Sequence, residues 1–512
     1  MSYIVEQKIK GRIYLYEVVS YWDKDKKQPR QKRKYIGPKN PVKNLVKPID
    51  TSNLSVQKYG SVFLLNALSD KIGLKNVLAQ TFPDTYKDIL NLAYYHITDN
   101  QPDYLFEYWY QQHFLPHSRK LNSSKISELY TQIGTAHPQR IAFIKQWIAH
   151  LNPIKTVFYD ITSFSGYSHN NDFIEWGYNR DNDHLPQINL GLVYCNQSAL
   201  PIYYRTHPGS LADVSTLKTI VEYLKGFGLE HMLMVLDRGF FSKSNILSLA
   251  NDIADVAFIQ PLPFRLKKVR EMARLYARDL PDYSNAFLHN NSLLYHFRSR
   301  ISFDERTFQA HIFLNEKVRQ EEKERFLFKL LQIEHQHKDK TFKTFKDFIA
   351  YKEAEIPEQY HPYFKWRRYD GKMEKNRPKI NRYLAKSGIF IIANNSGLTK
   401  EEIIDYYRSK DSIEKVFNGL KNELSSDRLR THSHEATEGK LFVKFITAIL
   451  YSSVSRVMAQ KGLFKSYTLR ELMLELDKIT RTKLEEKIIF SELTKKQKKI
   501  FQAFDVKWND KT

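Results

Sequence analysis

The chain has 512 residues and should form several structural units, because one hydrophobic core rarely serves more than ~250–300 residues. Its residues are 42% hydrophobic and 14% aromatic, which is enough to form such cores. Glycine and proline number 18 each against 32 tyrosines and 32 phenylalanines, which excludes collagen-like and low-complexity proteins. The net charge of +23 attracts polyanions, most commonly nucleic acid, although a lysine-rich proteome or binding to an anionic membrane surface would also explain it.

Cysteine content and apolar stretches indicate the compartment. The single cysteine, Cys195, excludes an internal disulfide and a cysteine-based zinc site. The N-terminal residues carry charge too early for the apolar core of a signal peptide. The most apolar stretch, 441–458, is interrupted by Lys444 and Arg456 and therefore predicts a buried helix rather than a membrane span. We expect a cytoplasmic protein.

The first 150 residues contain two different patterns. Residues 1–50 alternate apolar and polar positions around Gly11, which predicts a β-hairpin segment. Its stretch 24–34 holds seven basic residues and fits either a solvated loop or an arm that contacts phosphate. Residues 51–150 repeat apolar positions at intervals of three and four, which predicts a helical region.

From residue 154 onwards, short runs rich in Val, Ile, Leu and Tyr predict strands. Their order is three strands, a helix, a strand, a helix and a strand, which is typical of a mixed α/β layer fold. We predict an α/β domain formed by residues 151–265 and 386–460. A separate domain at 266–385 would interrupt it, and a helical tail would occupy 461–512.

Two aspartates and one glutamate are candidate metal ligands. Asp160 and Asp237 each follow a run of strand-forming residues, and ligands bind where strands end in open α/β sheets. Glu414 lies in a predicted helix that begins near Thr399. Taken singly, a strand-ending aspartate is more often a turn former or helix cap, and a glutamate in a charged helix is more often solvated.

The helix that contains Glu414 carries a regular stripe. Tyr407, Lys410, Glu414 and Lys421 are separated by three, four and seven positions, so they lie along one face.

Carboxylate oxygens suit Mg²⁺, and two such ions ~4 Å apart can assist phosphodiester cleavage. Nearby cations would offset the repulsion between the carboxylates and DNA. Because the chain has 57 acidic residues, such a triad alone is no evidence.

The residues around the three acids resemble a known family. Tyr407, Lys410, Glu414 and Lys421 have the spacing of the Y-(2)-R-(3)-E-(6)-K signature of IS4-type bacterial insertion-sequence transposases, the IS1634-like group in particular. The segments 237–241 (DRGFF) and 159–162 (YDIT) resemble the second and first aspartate motifs of these enzymes. The similarity extends in the family's order from near residue 10 to about residue 460. Lys410 replaces the signature arginine, which keeps the charge without the bidentate guanidinium.

The resemblance implies a fold and a catalytic centre. It implies an RNase H-like catalytic domain with a DDE triad of Asp160, Asp237 and Glu414, interrupted by a mostly β insertion domain between the second and third acids. The triad would bind two Mg²⁺ ions, for which Mn²⁺ would substitute. Relatives bind the terminal inverted repeats of their element, cut there with water as the nucleophile, and join the 3′ ends to target DNA.

The resemblance also suggests DNA contacts. Tyr407, Lys410, Lys421 and Arg238 are expected to bind DNA. In relatives an aromatic residue of the insertion helps to hold a flipped base, and Trp366 is a candidate for that role beside the alternative of a core or surface tryptophan. The 51–150 region is expected to bind double-stranded DNA, and assembly on two DNA ends predicts a homodimer.

Two other interpretations follow from the same features. The chain would be a related RNase H-like nuclease without transposition, or a catalytically inactive or domesticated derivative that binds DNA without cutting it.

His432 and His434 follow the predicted catalytic helix; we expect DNA contact or helix capping from them rather than metal binding. The leucine-rich helix near residue 472 fits dimerisation or a core role equally well.

Overall fold

The computed structural model describes residues 2–39, 54–99, 101–115, 119–166, 171, 173–176, 185–210, 216–251, 256–418, 429–484 and 487–508. The side chains of residues 251 and 411–418 lie outside this description. The chain forms two compact units, Met1–Ser55 with Lys483–Ile489 and Val56–Thr482 with Phe490–Thr512. The predicted subdivision of the larger unit into separate domains stays a prediction.

The smaller unit contains a three-stranded antiparallel sheet. Its strands are β1 (Ser2–Ile9), β2 (Arg12–Asp23) and β3 (Gln28–Pro38), in that order. Lys10 and Gly11 form the first turn with positive φ angles of 44° and 83°, a conformation that glycine adopts without a steric penalty. The predicted hairpin is confirmed, and a third strand extends it. Residues 28–34 of the basic stretch belong to that strand rather than to a loop, and their side chains are exposed.

The larger unit begins with a helical region, as predicted. Its elements are β4 (Ser55–Lys58), α1 (Gly60–Lys71), α2 (Leu74–Thr81), α3 (Tyr86–Thr98), α4 (Phe106–Gln112), α5 (Ser123–Thr135) and α6 (His137–Leu151). Asn122 caps α5 by accepting a hydrogen bond from the N–H of Lys125 at 2.9 Å. Apolar residues of these helices share one hydrophobic core with the sheet described next.

The central sheet follows in the predicted order of strands and helices. Its first elements are β5 (Thr156–Ser165), β6 (Gln187–Cys195), β7 (Leu200–Pro208), α7 (Leu217–Gly226), β8 (Met232–Val235), α8 (Lys243–Asn251) and β9 (Val256–Pro261). β5, β6 and β7 are antiparallel neighbours, whereas β8 pairs in parallel with both β5 and β9. The fold is therefore mixed α/β, as expected.

The segment predicted as a mostly β insertion has a different composition. It contains α9 (Lys267–Tyr276), β10 (Ala286–His289), β11 (Ser292–Phe303), β12 (Arg306–Asn315), α10 (Glu316–His337), α11 (Phe345–Glu355), β13 (Phe364–Arg367), β14 (Lys372–Lys375) and α12 (Arg377–Lys386). Helical residues outnumber strand residues, so the mostly β prediction is wrong. The reason is local: 316–337 is rich in Glu, Lys, Arg, Gln and Leu, which are strong helix formers.

Strands β10 to β12 extend the central sheet. With β15 (Ile389–Asn394), the sheet has nine strands in the order β10-β11-β12-β15-β9-β8-β5-β6-β7. β13 and β14 instead form a separate hairpin. It lies in a part of the chain that has its own small core, which includes Phe326, Leu330 and Ile380.

The remaining elements include the longest helix of the described chain. They are α13 (Lys400–Asn418), α14 (His434–Gln460), α15 (Leu469–Leu476), β16 (Thr480–Leu484), β17 (Lys487–Phe490) and α16 (Lys495–Ala503). By length and composition α14 could cross a membrane, but 83% of its most apolar window is buried inside the protein. The predicted buried helix is confirmed, since α14 packs against α3, α5 and β7.

Helices α5 and α14 cross closely because each has a glycine at the contact. A Cβ at Gly134 would lie 1.8 Å from the carbonyl oxygen of Glu435, and a Cβ at Gly439 would lie 1.8 Å from that of Tyr130. Both obstacles are backbone atoms, which a side-chain rotation cannot move. The two backbones therefore approach to a distance that only glycine permits.

The substitution Gly439→Ala is expected to destabilise the protein by about 1–3 kcal/mol, because the added methyl group would force α14 away from α5. The midpoint of urea unfolding, followed by circular dichroism, measures this loss. Gly226→Ala in α7 is the matched control, since a Cβ there meets no atom within 4 Å. An equal loss in both variants would show that the close helix crossing is not the cause.

Candidate active site

Asp160 lies within β5 rather than at its end. The expected strand end at Asp160 is wrong because β6 pairs with β5 as far as Ser165, opposite Gln187. On the other side, β8 pairs with β5 only as far as Phe158, opposite Val235. Asp160 therefore stands just beyond the last residue of β5 that pairs with β8. Its half-buried carboxylate accepts a hydrogen bond from the N–H of Ile161 at 2.8 Å.

Asp237 follows β8, and both its side chain and its backbone carbonyl accept hydrogen bonds. Its Oδ1 accepts a hydrogen bond from the N–H of Arg238 at 2.6 Å and caps the short 3₁₀ turn Arg238–Phe240. Its carbonyl oxygen accepts a hydrogen bond from Nε2 of Gln260 at 2.8 Å, and the Gln260 side chain is fully buried in β9. These contacts fix the backbone at the point where the strand ends.

The register of β5 and β8 relates the two aspartates. Thr156 is paired with Leu233 and Phe158 with Val235, a constant difference of 77 positions. Asp160 and Asp237 differ by the same 77 positions, two residues beyond the last pair. Because neighbouring strands lie about 4.7–4.9 Å apart, the two aspartates occupy corresponding positions on adjacent chain segments.

Helix α13 packs against both β5 and β8. It begins where the sequence predicts, because Thr399 and Glu402 form a capping pair: the N–H of Thr399 donates to Glu402 at 2.8 Å, and the N–H of Glu402 donates to Oγ1 of Thr399 at 3.2 Å. The helix therefore lies over the strands that lead to Asp160 and Asp237.

Lys410 of α13 contacts Asp237 directly. Its Nζ lies 2.7 Å from Oδ1 of Asp237, and the residue is only 8% exposed. A lysine this deeply buried requires a partner for its charge, and Asp237 is one. Its predicted contact with DNA stays a prediction, whereas its contact inside the protein is with a candidate metal ligand.

The other predicted site residues have different surroundings. Tyr407 is half-buried, and its ring stacks on Phe390 of β15 with centroids 5.4 Å apart. Arg238 is exposed in the turn after Asp237. Glu414 belongs to α13, but its side chain lies outside the described part of the structure, and Lys421 lies outside it entirely.

Trp366 lies on β13 and is half-buried. Its ring centroid is 6.1 Å from that of Phe345, and its Nε1 is buried with no hydrogen-bond partner among the described residues. No described contact joins it to Asp160 or Asp237. Its role as the aromatic that holds a base stays a prediction.

Two supporting residues were not predicted from the sequence. Gln260 holds the backbone of Asp237, as described above. His289 of β10 lies between two residues of α13: its Nε2 is 2.7 Å from Oδ1 of Asp405, and its Nδ1 is 2.9 Å from Nη1 of Arg408. The two partners of His289 are more than 100 positions away in the chain, and Asp237 is 23 positions away from Gln260, so no local pattern marks these contacts.

The donor atoms at this site suit a hard divalent cation. Asp160 and Asp237 supply carboxylate oxygens, which Mg²⁺ and Mn²⁺ accept. Among the side chains that the structure describes, no three His, Cys, Asp or Glu residues form a metal-binding group. Glu414, the third predicted ligand, is not among those side chains. The chemistry of the two aspartates therefore fits the expected metal.

Comparisons with known proteins identify the family. A family model described as "Transposase DDE domain" matches residues 152–450, which is 299 of the 512 residues. No curated protein matches the sequence. Among solved structures, the cryo-EM structure of a piggyBac transposase synaptic complex with hairpin DNA is similar with a TM-score of 0.33 and 10% identity, over 82% of this chain and 70% of that chain. The family match covers more than half of the chain and includes Asp160, Asp237 and all of α13, so the chain belongs to the family of transposases with a DDE domain.

Proposed function

We propose that this protein is an IS4-type DNA transposase of the IS1634-like group. It binds the terminal inverted repeats of its element, cleaves DNA there by hydrolysis, and joins the 3′-OH ends to target DNA. The observation that carries this proposal is the corresponding position of Asp160 and Asp237 on adjacent chain segments, with α13 packed over both strands. The match to the transposase family supports the same reaction class.

The proposed catalytic domain is RNase H-like. In support, five strands are neighbours in the order β7-β6-β5-β8-β9. β6 pairs antiparallel with both β7 and β5, whereas β8 and β9 run parallel to β5. The proposed insertion domain lies between the second and third acids. It contributes β10 to β12 to the edge of the same sheet and places α9 to α12 outside it.

Asp160, Asp237 and Glu414 would hold two Mg²⁺ ions, with Mn²⁺ as a substitute. When bound, such ions activate the attacking water and stabilise the leaving oxygen. Glu414 follows Lys410 by four positions in α13, a rise of about 6 Å or one helical turn, so the two positions share a helix face. That relation supports Glu414 as the third ligand, because Lys410 already contacts Asp237.

Other residues of the site orient the acids and the substrate. Gln260 holds the carbonyl of Asp237 and thereby the direction of its carboxylate. Lys410 balances the negative charge of Asp237, which lowers the repulsion between that carboxylate and a DNA phosphate. Arg238 is exposed beside Asp237 and can donate two parallel hydrogen bonds to a phosphate.

The proposed partners are double-stranded DNA at the element's ends and at the target. A homodimer assembled on DNA would bring two ends together, and the proposed location is the cytoplasm. Tyr407, Lys421 and Trp366 remain proposed DNA contacts. The alternative, a derivative that binds DNA without cutting it, retains the DNA partner and loses the reaction.

The test is a reaction of native protein with supercoiled plasmid that carries the element's ends. We expect cleavage at both ends with Mg²⁺ and none with EDTA, followed by covalent joining of the 3′ ends to a second DNA. Cleavage without joining would favour the related nuclease. Binding of the ends without cleavage in any divalent metal would favour the inactive derivative.

A further inference from the structure

A cleft of about 590 Å³ lies between α9 and α12, in the segment that separates the second and third acids. It is lined by twelve residues, which include five cations and three aromatic residues and no acid among the described residues. The cations are Arg270, Arg274, Lys379, Arg382 and Lys386. The concentration of positive charge in one concave surface indicates an anionic ligand.

These five cations lack the carboxylate partners that nearby cations have. Among the described residues, none of the five forms a salt bridge within 4.0 Å, whereas five other cations of residues 266–385 do. Those five pairs are Lys267–Glu271, Arg319–Glu316, Lys365–Glu374, Arg367–Asp370 and Lys375–Glu334. Acidic residues are therefore present in this part of the chain, including on α9, but none of them is among the residues that line the cleft.

The cations form two opposed stripes. Arg270 and Arg274 are four positions apart on α9, and Lys379, Arg382 and Lys386 are separated by three and four positions on α12. Residues at these intervals share one helix face, and the two helices pack against each other. A chain of phosphates that enters the cleft would meet cations on both sides.

Lys386 is the least exposed of the five cations, and the positive charge of Arg270 acts on it. Burial, and then the charge of Arg270, lowers the pKa of Lys386, although Glu322 opposes this effect. The Lys386 ammonium lies 5.5 Å from the ring centroids of both Phe264 and Tyr383. An anion in the cleft would relieve the repulsion between Lys386 and Arg270.

Tyr363 and Tyr383 form an aromatic wall of the cleft, and both pack against Phe326. Tyr383 stacks on Phe326 with ring centroids 4.0 Å apart, and Tyr363 meets both rings edge-to-face at 4.8 and 5.9 Å. Phe326 belongs to the small core of this segment. The wall is thus preorganised, which limits the entropy that ligand binding would cost.

We propose that the cleft between α9 and α12 binds consecutive phosphates of a DNA strand, independently of base sequence. This inference rests on the proposed function, since it assigns the cleft to the DNA that a transposase handles. A phosphodiester chain fits because several cations at helical spacing match several charges, whereas one inorganic phosphate would satisfy only some of them. Lysine and arginine contacts of this kind supply much of the affinity of DNA-binding proteins.

The test compares two double variants of the full chain. Arg270→Gln with Arg382→Gln removes one exposed cation from each stripe, and Lys343→Gln with Lys346→Gln removes the same charge from exposed lysines outside the cleft. Anisotropy of a labelled DNA duplex of arbitrary sequence is measured over a series of KCl concentrations. We expect the cleft variant to bind about tenfold more weakly, and the slope of log K against log[KCl] to fall by about 1–2.

Each outcome decides a different question. Equal binding by the two double variants, with unchanged thermal unfolding, would overturn the cleft proposal while leaving the proposed function in place. Failure of the native protein to bind any DNA would overturn both. If inorganic phosphate binds native protein but not the cleft variant, while both bind DNA alike, the cleft is a small-anion site and the DNA proposal is wrong.

Discussion

Glu414→Gln is expected to leave DNA binding intact and to lower cleavage of the element's ends by about 10³-fold. The amide keeps the shape of the side chain but loses the charge that a metal ligand needs. A loss of several kcal/mol at a metal-assisted step gives this factor, because each ~1.4 kcal/mol corresponds to a factor of ten. Asp160→Asn and Asp237→Asn should cause losses of similar size. Plasmid nicking and duplex anisotropy, measured on the same preparations, separate cutting from binding.

Glu401→Gln is the matched control for Glu414→Gln. It makes the same chemical change in the first turn of α13, where Glu401 is exposed and lies 3.9 Å from Lys400. Cleavage by this variant should equal that of native protein. If Glu414→Gln also cuts normally while the two aspartate variants do not, then Glu414 is not the third ligand. If all three variants cut normally, the proposed catalytic centre is wrong.

Asp103→Ala is expected to destabilise the larger unit by about 3–5 kcal/mol, because it would leave buried cations without their counter-charge. The Asp103 carboxylate is 2.8 Å from Nε2 of His96, 3.0 Å from the hydroxyl of Tyr130 and 2.8 Å from Nζ of Lys440. Burial alone would raise the pKa of Asp103, but Lys440 and the hydrogen bond from His96 hold it well below its usual value. The carboxylate is therefore charged at neutral pH.

The charge of Asp103 affects the protonation of the neighbouring His96 and Lys444. Burial, and then the charge of Lys444, lowers the pKa of His96 to about 4, so at neutral pH the neutral imidazole donates from Nε2 to Asp103. Burial lowers the pKa of Lys444 to about 7, and Asp103 opposes that effect. Without Asp103, Lys440 would have lost its described salt-bridge partner in a buried position.

Urea unfolding at neutral pH measures the effect of Asp103→Ala. The control is Glu107→Ala, which removes the partner of the exposed Lys120 from an ion pair at the surface and should change stability much less. Asp103→Asn is a useful second variant, because it retains hydrogen bonding to Tyr130 while removing the charge. A small effect of both Asp103 variants would show that Lys440 finds another partner or loses its proton without cost.

Asp103 also shows how the predicted DNA-binding region is joined to the rest of the unit. His96 and Tyr130 belong to α3 and α5, whereas Lys440 belongs to α14, which also packs against β7 of the central sheet. The glycine contact between α5 and α14 lies at the same crossing. These contacts join the helices of the predicted DNA-binding region to the central sheet through α14.

The sequence by itself determined the features that depend on local patterns. Alternating and helical periodicities predicted the first strands, the helical region and the order of β5 to β9, because such patterns arise from neighbouring residues. The predicted start of α13 near Thr399 is also a local feature, since the structure shows that Thr399 and Glu402 interact three positions apart. The motifs around Asp160 and Asp237 pointed to a DDE transposase, and the family match to residues 152–450 then showed that broader class.

Only the tertiary structure decided the features that depend on distant partners. β5 continues past Asp160 because β6 pairs with it, β10 to β12 join the central sheet through β15, and Lys410 faces Asp237 across 173 positions of chain. The cationic cleft arises where α9 meets α12, about 100 positions later. Local patterns cannot show such pairings, because a buried charge or an unpaired strand edge is stabilised by whichever partner the fold brings to it.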